Sequence, residues 1–182
     1  MLMQKGKNLL VICLFFASLQ LVAQDKKAGP VIESAGAVWN LDQLDFPTDT
    51  QKTYKAVFDI MDSPESPDKK NPSIETVARY LNMHAQQGVP VTNLNAAMVV
   101  HNKASKDLLQ DKFYKQRYGV PNPNTLMLKE LMDAGVTVIF CGQSSVARNV
   151  PQNQIFGEVR TALSAMTALI SLQDDGFRLI KF

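Results

Sequence analysis

The stretch Gly135–Ser145, GVTVIFCGQSS, is the part of the chain that most constrains its fold. Val136, Val138 and Phe140, with Thr137 and Ile139 between them, form a run that is apolar on both faces. Such a run suits a strand covered by helices on both sides, as in a parallel sheet. It ends on Cys141, followed by Gly142 and the small polar residues Gln143, Ser144 and Ser145. In open α/β sheets, ligand chemistry gathers where strands end and loops begin. Cys141 is therefore a polarizable nucleophile at the place where such a sheet can use one.

The start of the chain reads as an export signal. Lys5 and Lys7 precede an apolar run from Leu9 to Leu19, and Ala23 offers a small residue at a cleavage site. The run is short for a membrane span. Residues 1–23 are expected to be a signal peptide, which places the mature protein outside the cytoplasm, periplasmic or secreted. Loss of Lys5 and Lys7 takes the formal charge from +2 to 0. A neutral domain argues against nucleic acid or an anionic membrane as the main partner. Cys13 leaves with the signal, so one of the two cysteines remains and no internal disulfide can form. About 159 residues are left, enough for one domain with one substantial core.

Residues 24–53 are mixed, with Gly29, Pro30, Gly36 and Pro47 interrupting the apolar positions. An arm or short hairpin laid against the domain is expected there, anchored by Trp39. The domain proper is expected over 54–182. Tyr54–Ile60 reads as the first core strand, and Asp62–Asn71 as a Pro-rich, mobile, solvated loop. Asn71 and Pro72 make a helix start. Ile74, Val77, Ala78, Leu81 and Ala85 follow with helical spacing. Leu94–His101 is the second strand. Ala104–Tyr118 is mostly helical, and Asn122–Pro123 repeats the cap-plus-proline device before a third helix. Gln152–Gln173 carries the longest helical pattern, with Ile155, Val159, Leu163, Met166 and Ile170 along one side. Phe177–Phe182 closes the chain as a strand. Strand followed by helix, repeated, gives an α/β sandwich around a mostly parallel sheet.

Three features favour a reactive Cys141: its place at a strand end, the N–H groups of a following helix, and positive charge from Arg148 or Lys103. The alternative is a cysteine simply buried in the core. His101 ends the neighbouring strand, as a proton partner for Cys141 or as a polar residue satisfied by a loop carbonyl. A Cys–His pair needs an orienting Asn or Asp; Asn102 and Asn124 are candidates. His84 reads as structural. GxGxxG, P-loop and CxxC motifs are all missing, and two His with one mature Cys make no metal cluster. No cofactor or metal is expected.

Ala78–Met83 (ARYLNM), Met98–Asn102 (MVVHN), the Asn124–Leu131 helix, Gly135–Gln143 (GVTVIFCGQ) and Leu172–Gly176 (LQDDG) resemble the DsrE/DsrF-like family, sulfur-relay proteins of the DsrEFH fold. The resemblance spans roughly Tyr54 to Phe182 and implies a three-layer α/β/α sandwich with a five-stranded, mostly parallel sheet. It also implies homo-oligomers (trimers, hexamers or dimers), and a cysteine, here Cys141, that carries sulfur as a persulfide. His101 matches a His-Gly position in which Asn102 replaces the Gly. The resulting expectation is an exported single-cysteine sulfur carrier or sulfurtransferase, with a sulfane-sulfur donor and a thiol acceptor as partners. Gly142 would admit the terminal sulfur, while Gln143, Ser144 and the following N–H groups bind its charge. The competing expectation is a non-catalytic, oligomeric binding or assembly module of the cell envelope in which Cys141 is structural.

Overall fold

A computed structural model describes residues 25–181; the expected signal peptide lies outside them. Five parallel strands form one sheet in the order β4-β3-β2-β1-β5. They are β1 (Tyr54–Ile60), β2 (Leu94–Val100), β3 (Thr137–Cys141), β4 (Arg160–Ala162) and β5 (Arg178–Ile180). The helices are α1 (Pro72–Gln86), α2 (Asp111–Tyr118), α3 (Thr125–Asp133), α4 (Gly142–Ala147) and α5 (Ala165–Asp174). Among the described residues, no helix is long and apolar enough to cross a membrane.

Alternation along the strands assigns the two faces. Phe58, Ile60, Met98, Val100, Val138 and Phe140 enter the larger core, with α1, α3 and Tyr114 of α2. Val57, Ala97, Val99 and Cys141 face the other way, against Ala165 and Ala168 of α5. The result is the three-layer α/β/α sandwich with its five-stranded parallel sheet. One outer layer is deep, and the other is a single short helix.

The α1 start forms as the sequence indicates. Asn71 Oδ1 accepts from the N–H groups of Ser73 (2.9 Å) and Ile74 (3.4 Å), with Pro72 at the first helical position. Asn71 belongs to a larger buried set. Its Nδ2 donates to Asp107 (2.7 Å), which also accepts from Lys106 (3.0 Å) and Asn124 (3.3 Å). Asn122 Nδ2 donates to the carbonyls of Asp107 and Leu109, both at 2.7 Å. These amides join the starts of α1 and α3 to the 3-10 segment Asn102–Leu108. That segment and α2 occupy the stretch 104–118, expected to be mostly helical. Asn124, two residues beyond the expected cap, flanks α3, because Asn122 is turned inward to the network. The loop 62–71 is tied down where Tyr114 donates to the Pro67 carbonyl at 2.8 Å.

Two expectations are corrected. The first concerns Gln152–Gln173, which is not one helix. A 3-10 turn at Gln152–Gln154, the edge strand β4 and α5 share it. Ile155 and Val159 pack into the deep layer, beside a bridge from Ile155 to Leu109. The expected stripe is therefore split. Leu163 and Met166 are 73% exposed and Ile170 59%. The sheet-facing side of α5 is instead Ala165, Ala168, Leu169 and Leu172. Gly157 and the Ser164 N-cap, which accepts from the Thr167 N–H at 3.1 Å, were the signals of a break.

The second correction concerns Trp39, which is 53% exposed under the Lys26 ammonium and does not anchor the arm. Ile32, Ala35 and Val38 do. Asn82 of α1 accepts from the Val31 and Ile32 N–H groups and donates to the carbonyls of Ile32, Ala35 and Gly36. Gly36 has φ +74°, and a Cβ there would sit 2.6 Å from the Ala78 backbone carbon. That close approach pulls 32–36 onto α1 and leaves Trp39 at the margin.

Candidate functional site

β3 ends on Cys141, and α4 begins at the next residue. The side chain faces α5, among Val57, Ala97, Val99, Ala165 and Ala168, and the residue is only 5% exposed. A strand-end position leaves a thiol free to reach solvent; the structure covers this one. Gly142 explains how. A Cβ at Gly142 would lie 2.9 Å from the Ala162 carbonyl oxygen, so only glycine lets α4 close against the β4–α5 connection.

The surroundings of the sulfur are covered but not purely apolar. The Ser144 N–H reaches Sγ at 3.4 Å. Burial alone pushes the thiol up, but the Ser144 hydroxyl and the N–H groups of Ser144, Ala165 and Gln143 more than offset this. They hold Cys141 below its ordinary value of 9.0. Donors on two chain segments, the first turns of α4 and α5, thus converge on one sulfur. Ser144 is itself oriented: its Oγ accepts from the Asn102 N–H at 3.0 Å, leaving its own hydrogen for the sulfur. Asn102 has φ +52°, a left-handed conformation that Asn tolerates, as Gly does.

Positive charge is not what lowers the thiol. Arg148 is spent on the Asn102 amide oxygen, and neither it nor Lys103 is among the causes acting on Cys141. Gln143 is exposed; its side-chain amide turns to the Leu163 carbonyl at 3.4 Å, and only its backbone N–H serves the sulfur.

His101 follows β2 directly. Val100 pairs with Phe140, so His101 and Cys141 are the next positions on neighbouring strands. By alternation both lie on the α5 side. The imidazole is bonded to neither Cys141 nor a loop carbonyl among the described residues: Nε2 meets Asp59 Oδ1 at 2.7 Å. Asp59 Oδ2 accepts from Lys181 at 2.5 Å. Burial raises the Asp59 carboxyl, but hydrogen bonds from Lys181 and His101 bring it below the ordinary 3.8. Asp59 went unnoticed in the sequence, although alternation in YKAVFDI sets it opposite Phe58 and Ile60 at the rim. Asn124 is committed to the Asp107 network and cannot orient His101. His84 is structural as expected, donating from Nδ1 to the Tyr80 carbonyl at 2.8 Å and packing on the Tyr54 and Tyr80 rings.

Two solved structures share this architecture. The protein of unknown function MTH1491 from Methanobacterium thermoautotrophicum is 17% identical, with a TM-score of 0.54; the match covers 71% of this chain and 99% of that one. The ychN protein from E. coli is 15% identical, with a TM-score of 0.51 and the same coverages. A search of curated proteins finds no match. The DsrE/DsrF-like family profile aligns with residues 55–182, which include every residue of the rim just described. The chain therefore belongs to the DsrE/DsrF-like family, within a sulfur-relay type of superfamily.

Proposed function

We propose that the protein is an exported, single-cysteine sulfur carrier acting through Cys141. The observation that carries this reading is the convergence of the Ser144, Gln143 and Ala165 donors on one sulfur, which favours an anion there. The Cys141 thiolate attacks a terminal sulfur of a polysulfide, breaking one S–S bond and releasing the shortened polysulfide. The product is Cys141–S–S⁻. A partner thiolate then attacks the outer sulfur, takes it as its own persulfide, and returns Cys141 as thiolate. Gly142 lets the first turn of α4 pack close beside the sulfur, and the N–H groups that hold the thiolate also receive it as leaving group. The carrier acts as a homo-oligomer outside the cytoplasm, and the bare apolar side of α5 offers surface that a second subunit could cover.

Incubation with polysulfide should add about 32 Da per sulfur to the intact protein, and Cys141→Ser should gain nothing. An unmodified wild type, or equal labelling of the variant, overturns the reading. The 5% exposure of Cys141 favours a second one, a non-catalytic oligomeric binding or assembly module with a structural cysteine. Reaction of the folded protein with a thiol reagent no faster than global unfolding would select that alternative.

A further inference from the structure

The row Lys181–Asp59–His101–Cys141 runs across the carboxyl ends of β5, β1, β2 and β3, one residue from each or from just beyond it. Its hydrogen bonds have a direction. Lys181 donates to one Asp59 oxygen, and the other accepts from His101 Nε2, so a neutral imidazole carries its proton on Nε2. Nδ1 then holds a free lone pair, and among the described residues it has no protein partner. Asp59 is 7% exposed while His101 is 21% exposed, so the orienting group is covered and the oriented one reaches solvent. Cys141 has no need of a base, because backbone and hydroxyl donors already favour its thiolate. The thiol that arrives to collect sulfur has no such help.

We propose that Asp59, held by Lys181, positions His101 so that Nδ1 is the base for the sulfur-accepting thiol. This rests on the carrier reading above. The proton of the acceptor R–SH moves to Nδ1, and R–S⁻ attacks the outer sulfur of Cys141–S–S⁻. The Cys141 S–S bond breaks, and its electron pair stays on Cys141. R–S–S⁻ leaves, and the imidazolium returns its proton to the product or to solvent. His101 is the catalytic base; Asp59 and Lys181 are positioning residues. Asp59 is bonded to the imidazole and Lys181 to Asp59, Cys141 holds the neighbouring strand position, and Arg148 is bonded to Asn102, the residue after His101. The first turn of α5, Ala165, Met166 and Thr167, brings no charge.

The size of the effect is bounded. A thiol with a pKa of about 8.5 is only about 3% ionised at pH 7, so a base can gain at most about thirtyfold there and nothing once the acceptor is fully ionised. The test loads wild type, Asp59→Asn and His101→Gln with polysulfide and confirms the adduct by intact mass. It then follows loss of the adduct to glutathione from pH 6.5 to 10. Equal loading is expected, with delivery at pH 7 slowed about tenfold in Asp59→Asn and more in His101→Gln. The three rates should converge near pH 10, and added imidazole should restore part of the His101→Gln rate. Wild type that never loads sinks the carrier reading and this proposal with it. Loading without a difference in delivery, or slowing that is uniform with pH, overturns the proposal alone.

Discussion

The two faces of the sheet solve the problem of polar residues in opposite ways. On the α1/α3 side, Asn71, Asp107, Asn122 and Asn124 are buried and tied to one another and to backbone. On the α5 side, the polar groups stand at the rim and keep valences in reserve. Among the described residues, Nδ1 of His101 lacks a protein partner, and Cys141 accepts donors it would need only as an anion. Saturated polar groups rigidify, and unsaturated ones are available to a substrate. On the proposed carrier function, the deep layer is the scaffold and the thin layer the working side.

Several substitutions would break or sharpen this contrast. Asp107→Ala would strand Lys106 and the Asn71 and Asn124 amides, and should cost about 3–5 kcal/mol in urea unfolding. Leu131→Ala, in the same layer, should cost about 2–5 kcal/mol by the same measurement. On the other side, Gly142→Ala must push the Ala162 carbonyl away. About 1–3 kcal/mol is expected, with a change in the alkylation rate of Cys141 as α4 lifts. Met166→Ala should stay within about 0.5 kcal/mol; a cost as large as that of Leu131→Ala would erase the distinction between the layers. Ser144→Ala should leave stability nearly unchanged yet shift the pH profile of Cys141 alkylation upward, since a donor to the thiolate is lost.

The smallest effect concerns acid. The folded Asp59 carboxyl lies below 3.8, so the folded state binds this proton less readily than the unfolded chain. Its contribution is present above about pH 4 and fades as pH falls through the folded value. The difference in Tm between wild type and Asp59→Asn should accordingly shrink below about pH 4.

What the sequence disclosed, and what it hid, follows the same division. β1, α1 and β3 were legible because burial imposes period on a strand and because Asn71–Pro72 states a helix start in local terms. The region from Gln152 to Gln173 was misread. Ile155 and Leu163 share a helical spacing by accident, one drawn to the deep layer and the other left outside. Cys141 was visible from its position after an apolar strand. Its covering by Gly142 was not, because a close approach between segments twenty residues apart leaves no local pattern. Asp59 was hidden for a similar reason: its meaning comes from Lys181, 122 residues away, and from a histidine on another strand.

The arm clipped by Asn82 has a practical corollary. Lys26 lies beside Arg79 and Met83 of α1, across the sheet from the thiol. The first described residues therefore lie at the rear of the molecule. A tether or solid support attached at Lys26 would leave α5 and the rim that carries Cys141 turned outward, free to meet a second protein head-on.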